Sequence, residues 1–259
     1  MDTRASRLSW RRLPWTAEVV SIGLGYGVYS LIRVLAAKHV DSAYGHAQDV
    51  GEVERALGIY HERWLNAQLS GHTSLELLSS YYYSTLHFIV TPVVLAWLWR
   101  RRARFYPVLR SGLVVASACA LVIYAAWPLA PPRFAVAGTV DTVIDHPVIW
   151  VSGDGAGAFV NDLAAMPSLH VGWAVWCAIA IVAGFRSRAR HLAWLYPVTT
   201  TLVVVATANH YLLDALGGAL VVVIPLIACG LRPSTFRVPL HHPHPESPQV
   251  VEAVAVPVA

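Results

Sequence analysis

Ala165-Met166-Pro167-Ser168-Leu169-His170 opens an apolar run that continues to Gly184, and Asn209-His210-Tyr211-Leu212-Leu213-Asp214 opens another that continues to Cys229. Runs this apolar read as membrane-crossing helices, so each motif places a histidine at the edge of a span. His210 and Asp214 are four residues apart, so on a helix they share one face and their side chains can meet. A carboxylate this deep in apolar sequence needs a partner. An imidazole held by it through one ring nitrogen presents the other as a base or nucleophile. Pro167 suits a first helical turn, where its missing amide hydrogen is not needed. Ser168 and His170 then sit in that turn, beside free backbone N–H groups that favour an anion. Taken singly, either motif also reads as a packing contact, because Ser, Asn and His commonly bridge membrane helices. Together, at matching depth and each at a helix end, they predict two histidines facing one phosphate.

The rest of the chain fits that frame. Of its 259 residues, 56% are hydrophobic and only 13% charged, the composition of a polytopic membrane protein and not of a soluble domain. The formal net charge of +4 is weak evidence for any partner. The arginines fall in membrane-flanking clusters and no nucleic-acid motif is present, which sets nucleic acid aside. Cys119, Cys177 and Cys229 lie in apolar runs and read as small core residues, not as a disulfide or metal site.

The predicted fold is all-α, with six transmembrane helices at about 14–37, 75–99, 107–129, 167–184, 192–208 and 210–229. Residues 1–13 form a cytoplasmic N-terminal tail, 14–231 the six-helix membrane domain, and 232–259 a disordered cytoplasmic tail. His241, His242 and His244 in that tail are assigned no function. The first run also resembles a signal peptide, but it is long, and Leu35-Ala36-Ala37 before Lys38 is a poor cleavage site, so it is read as retained. Between the first two spans, Val53, Leu57, Tyr60 and Trp64 recur at helical spacing among Glu52, Glu54, Arg55, Glu62 and Arg63. That pattern predicts an extracytoplasmic amphipathic helix, lying on the lipid interface and covering the outer mouth. Gly217 and Gly218 permit close helix contact in the last span.

Three further features bear on the site. Tyr83 and His87 share a face of the second span, where the alternative is an interfacial aromatic belt with Tyr81 and Tyr82. Arg133, the only Lys or Arg between Arg110 and Arg186, ends the third span; the alternative is snorkelling to headgroups. The acidic, glycine-containing loop 135–164 is long enough to be functional. The basic clusters at Arg4–Arg12, Arg100–Arg104, Arg186–Arg190 and Arg232 all fall on one side of the six-span arrangement. By the positive-inside rule that side, with both termini, is cytoplasmic. Arg133, His170, His210 and the Tyr83/His87 end then converge on the outer face of a cell membrane. A transporter would need polar residues continuing to the other face, and 114–122, 174–183 and 220–227 are almost wholly apolar. A structural scaffold gives no reason for two histidines and an arginine to meet at one depth.

Pro167-Ser168-Leu169-His170 and His210-Tyr211-Leu212-Leu213-Asp214 resemble two of the three signatures of the type 2 phosphatidic acid phosphatase superfamily, which includes lipid phosphate phosphatases and vanadium haloperoxidases. The resemblance covers about 50–220. Ala165-Met166-Pro167-Ser168-Leu169-His170 followed by Val171-Gly172-Trp173 is closer to the branch containing inositol phosphorylceramide synthase and actinobacterial membrane proteins. Leu169 stands where the family usually has glycine. Ala126 stands at the position of the first motif's lysine, and Val203-Val204 at that of the third motif's Ser-Arg. Tyr83, His87 and Asn209 are expected to supply hydrogen bonds in place of those cations. The resemblance implies a metal-independent and cofactor-free enzyme that cleaves a lipid phosphate or transfers a phospho-head group to an alcohol. It implies His210 as the nucleophile that becomes phosphohistidine, Asp214 as its orienting partner, and His170 as acid and then base. Arg133 and Ser168 would hold the phosphoryl oxygens. The partner implied is the lipid phosphate itself; protein partners and oligomeric state are left open.

Overall fold

The computed structural model describes residues 39–142 and 163–232, with isolated helical positions between 16 and 31. The first expected span, both tails and most of the 135–164 loop lie outside the described residues. Among those described, the structure is helical: α1 (Val40–Ala56), α2 (Glu62–Leu69), α3 (Thr73–Arg101), α4 (Tyr106–Ala126), α5 (Pro132–Ala135), α6 (Leu169–Gly184), a 3₁₀ segment (Arg188–Trp194), α7 (Leu195–Ala206) and α8 (Leu212–Ala228). Two of these, α3 and α4, are long and apolar enough to cross a membrane; α6 and α8 are apolar but shorter.

Helix α6 is the axis of the bundle. It is apolar all round, and 12 of its 16 residues are buried, as that pattern requires of a central helix. It packs against α3, α4, α7 and α8. Trp176 is fully buried and its indole N–H donates to the Leu109 carbonyl at 2.8 Å, so the large ring leaves no polar group unsatisfied. The outward faces of α3, α4, α7 and α8 carry exposed Phe88, Ile89, Val93, Val122, Leu202 and Ile224. Exposed apolar surface of that extent is what hydrocarbon around the bundle would accept and water would not.

The α6–α8 crossing is the closest in the bundle's centre. A Cβ on Gly218 would collide with the Ser168 carbonyl oxygen, and one on Gly172 would lie 2.8 Å from the Gly218 carbonyl oxygen. Gly217 is less constrained, since a Cβ there would lie 3.3 Å from the flexible Met166 Cε and in ordinary contact with Pro167 Cβ at 3.5 Å. Gly218→Ala is therefore expected to destabilise by about 1–3 kcal/mol through overpacking, and Gly217→Ala by less. Thermal unfolding in detergent measures both, and equal midpoints would contradict the close crossing.

The amphipathic segment departs from its expected form. It is two helices, broken where Gly58 takes φ +69°, a left-handed conformation that glycine adopts without strain. Val53, Leu57 and Trp64 are exposed at 48%, 61% and 62%, while Glu54, Glu62 and Asn66 are fully buried. The inward stripe of α1 is instead Ala43, Ala47, Val50 and Glu54, at helical spacing with small side chains. The polar residues face inward because they find buried backbone partners there. Asn66 donates to the Val140 and Ala206 carbonyls at 3.1 and 2.9 Å and accepts from Val140 N at 2.7 Å, fixing α2 to the end of α7.

Candidate active site

The site forms where the N-termini of α6 and α8 lie side by side. Ser168, with extended backbone, is the N-cap of α6, and its hydroxyl accepts from Val171 N at 3.4 Å. Pro167 therefore precedes the helix instead of occupying its first turn, and the Ser168 oxygen already serves its own helix. Ser168 N donates to the Asp214 carbonyl at 2.9 Å, and the Tyr124 hydroxyl donates to the Pro167 carbonyl at 2.6 Å. These bonds latch the approach to α6 onto α8 and α4.

His210 also lies outside its helix. Tyr211 is the N-cap of α8, with ψ 161°, so His210 and Asp214 do not share a helical face. They meet for a different reason. The Asp214 carboxylate folds back over the helix start, accepting Tyr211 N at Oδ2 (2.8 Å), and the same Oδ2 lies 3.4 Å from His210 Nδ1. Nδ1 also lies 2.8 Å from the Ala165 carbonyl oxygen. A carbonyl only accepts, so the proton belongs on Nδ1. Nε2 then carries the lone pair; it is buried and has no hydrogen-bond partner among the described residues. The backbone is positioned by a tight turn after α7, in which Asn209 N and His210 N both donate to the Val204 carbonyl, at 3.0 and 3.1 Å.

Around that nitrogen the expected residues assemble in part. The ring of His170 lies edge-on to His210, with centroids 5.6 Å apart. Tyr83 stacks on His170 at 4.2 Å, and His87 meets its edge at 4.3 Å. Tyr83 and His87 thus face the site and not a headgroup belt. Arg133 is also buried, with its side chain 6% exposed, so it does not snorkel. It forms an ion pair with Asp141 at 3.1 Å and a hydrogen bond with the side-chain oxygen of Asn209. Its backbone N–H donates to the Ala208 carbonyl at 2.8 Å. Arg133 and Asn209 therefore form one unit that abuts His210 through the chain, while Tyr83, His87 and His170 form another that meets it through ring contacts. Asp141, the partner of Arg133, stands in the sequence only as one acidic loop residue among several. Among the described residues, no group of three or more His, Cys, Asp or Glu side chains is arranged to hold a metal ion.

The class of protein these features define is a helical bundle with apolar outer faces, in which a buried histidine and carboxylate meet a second, half-buried histidine. The chain belongs to the PAP2 superfamily, the type 2 phosphatidic acid phosphatases: the superfamily's model matches residues 48–228, most of the chain and all of the site. No match was found among curated proteins or solved structures. Membership carries phosphatase or phosphotransferase chemistry on phosphoesters.

Proposed function

We propose that the protein is a multi-pass enzyme of the cell membrane that cleaves a phosphoester of a lipid phosphate at the outer face, through a phosphohistidine on His210. The observation that carries this reading is His210 itself: Nδ1 is tied to Ala165 and Asp214, which leaves Nε2 as the lone pair beside His170. In the first step Nε2 attacks phosphorus, the P–O bond to the leaving group breaks, and His170 gives that oxygen a proton. In the second, water or an alcohol attacks the phosphohistidine, loses its proton to His170, and the P–N bond breaks. Asp214 offsets the positive charge on the His210 ring while phosphorus is attached. Arg133, Asn209, Ser168, Tyr83 and His87 are the candidates to surround the phosphoryl oxygens.

The membrane setting rests on the apolar outer faces, on the two long spans, and on the basic clusters flanking the expected six. Water as acceptor makes the enzyme a phosphatase; an alcohol makes it a transferase of the inositol phosphorylceramide synthase kind. One experiment addresses both acceptor and face. Sealed right-side-out vesicles containing the protein are given a labelled lipid phosphate in the outer leaflet, with EDTA present. Free labelled phosphate is expected, undiminished by EDTA; a new labelled lipid identifies a transferase. Turnover only when substrate is on the inner face, or activity lost in EDTA and restored by Mg²⁺, would contradict the reading.

A further inference from the structure

Glu54 and Glu62 are both fully buried, although they belong to a segment whose charge pattern reads as a solvated face. One oxygen of each has a clear use. Leu213 N donates to Glu54 Oε1 at 2.7 Å, and Leu212 N donates to Glu62 Oε1 at 3.2 Å. These are the first two amides of α8, which have no acceptor inside the helix. Tyr211 N, just before them, goes to Asp214 Oδ2. Three carboxyl groups thus serve three successive amides, and the third is the one that touches His210.

The remaining oxygens, Oε2 of Glu54 and Oε2 of Glu62, are buried and receive no other donor. Two buried carboxylates side by side repel each other, which favours the neutral form of Glu54. The groups facing Glu54 are Glu62 and Asp214. Tyr60 and Tyr211 lie nearby, and Arg55 sits over the Tyr60 ring at 5.0 Å. Burial first, then the neighbouring Glu62 carboxyl, pushes the Glu54 carboxyl up to about 9.

We propose that Glu54 and Glu62 are positioning residues for the histidine centre: by accepting from the first two amides of α8 they cap its first turn and so hold Asp214 against His210. This rests on the reading of His210 and Asp214 as catalytic. Carboxyl oxygens at these amides complement the positive end of the helix. Full charge on both would make them repel each other and Asp214.

The test uses full-length protein in detergent, an aryl phosphate as substrate, and the variants Glu54→Ala, Glu62→Ala and Glu62→Gln. Either alanine is expected to lower kcat on the order of 10²-fold, as a small misplacement of reacting groups does, with little change in KM. The carboxamide introduced by Glu62→Gln still accepts from Leu212 N, so that variant keeps the cap and most of kcat. Wild-type kcat falls as pH rises past about 9; the glutamine variant lacks that fall. A second readout needs no activity. An unfolded glutamate releases its proton at pH ~4.3, and folded Glu54 holds it to about 9. The proton's contribution to stability is therefore complete below the lower value, declines between the two, and is gone above the higher. The wild-type thermal midpoint should follow that decline, and Glu62→Gln should flatten it. Glutamine behaving like alanine, alanine variants keeping full kcat, or identical midpoint profiles would overturn the proposal. A wild type that turns over no phosphoester, while the midpoint profiles differ as expected, would instead overturn the catalytic reading and leave the paired carboxyls standing.

Discussion

His210→Ala is expected to abolish turnover, with a loss on the order of 10⁶-fold in kcat, as when a nucleophile is removed from an enzyme that works through a covalent intermediate. The geometry leaves no substitute. Nε2 of His210 is the ring nitrogen whose partner atom, Nδ1, is fixed by the Ala165 carbonyl at 2.8 Å and by Asp214 at 3.4 Å. His170 lacks such a carboxylate among its described contacts; its neighbours are the rings of Tyr83, His87 and His210. Loss of the His210 ring removes the bond to Ala165 and the contact with Asp214, while the Tyr211 N–Asp214 cap and the latches Ser168–Asp214 and Tyr124–Pro167 remain. The variant should therefore stay folded, and a thermal midpoint close to wild type with no hydrolysis of an aryl phosphate is the expected pair of results. Substantial activity in His210→Ala would remove it as the nucleophile.

Asp214→Asn is expected to lower kcat roughly 10²–10⁴-fold, the range found for the orienting carboxylate of other catalytic triads. Two features of this site make the substitution informative. An asparagine side-chain oxygen can still accept from Tyr211 N, so the start of α8 keeps its cap. The Ala165 carbonyl still accepts from Nδ1, so the tautomer is held as before. What disappears is the negative charge behind the ring, needed most when the attached phosphoryl group leaves the imidazole cationic. Because the tautomer survives, the loss should fall toward the lower end of that range. Steady-state kinetics with an aryl phosphate measure it, and a loss below about tenfold would make Asp214 a helix cap and nothing more.

Much of this site is legible in the sequence, though partly for the wrong reason. The spacing of His210 and Asp214 points to a pair, and they do meet. The helix, however, begins two residues later than that spacing implies, and the contact is made by a side chain folding back over Tyr211. Pro167 and Ser168 likewise lie two positions further outside their helix than a first-turn proline would. Helix starts are poorly marked here because the apolar run continues across them. Gly218 is visible as a close-contact residue because a glycine pair inside an apolar run has few other uses. Arg133 is visible as an isolated cation, but its partners Asp141 and Asn209 are not, since Asn209 lies 76 residues away. The plainest failure is α1 and α2. Charged residues on an amphipathic segment default to solvent, and nothing local shows that Glu54 and Glu62 would find amides 159 and 150 residues on.

The central claim is a covalent phosphate on His210, and trapping acid-labile phosphate on the protein tests it most directly. Wild type, His170→Ala and His210→Ala are mixed with an aryl phosphate labelled at phosphorus and quenched in base, which phosphohistidine survives. An aryl leaving group needs little protonation, so the first step should still run in His170→Ala, while the second lacks its base. The label is expected to accumulate on His170→Ala, to appear transiently on wild type, and to be missing from His210→Ala. Label retained on His210→Ala, or none on His170→Ala, would contradict the account.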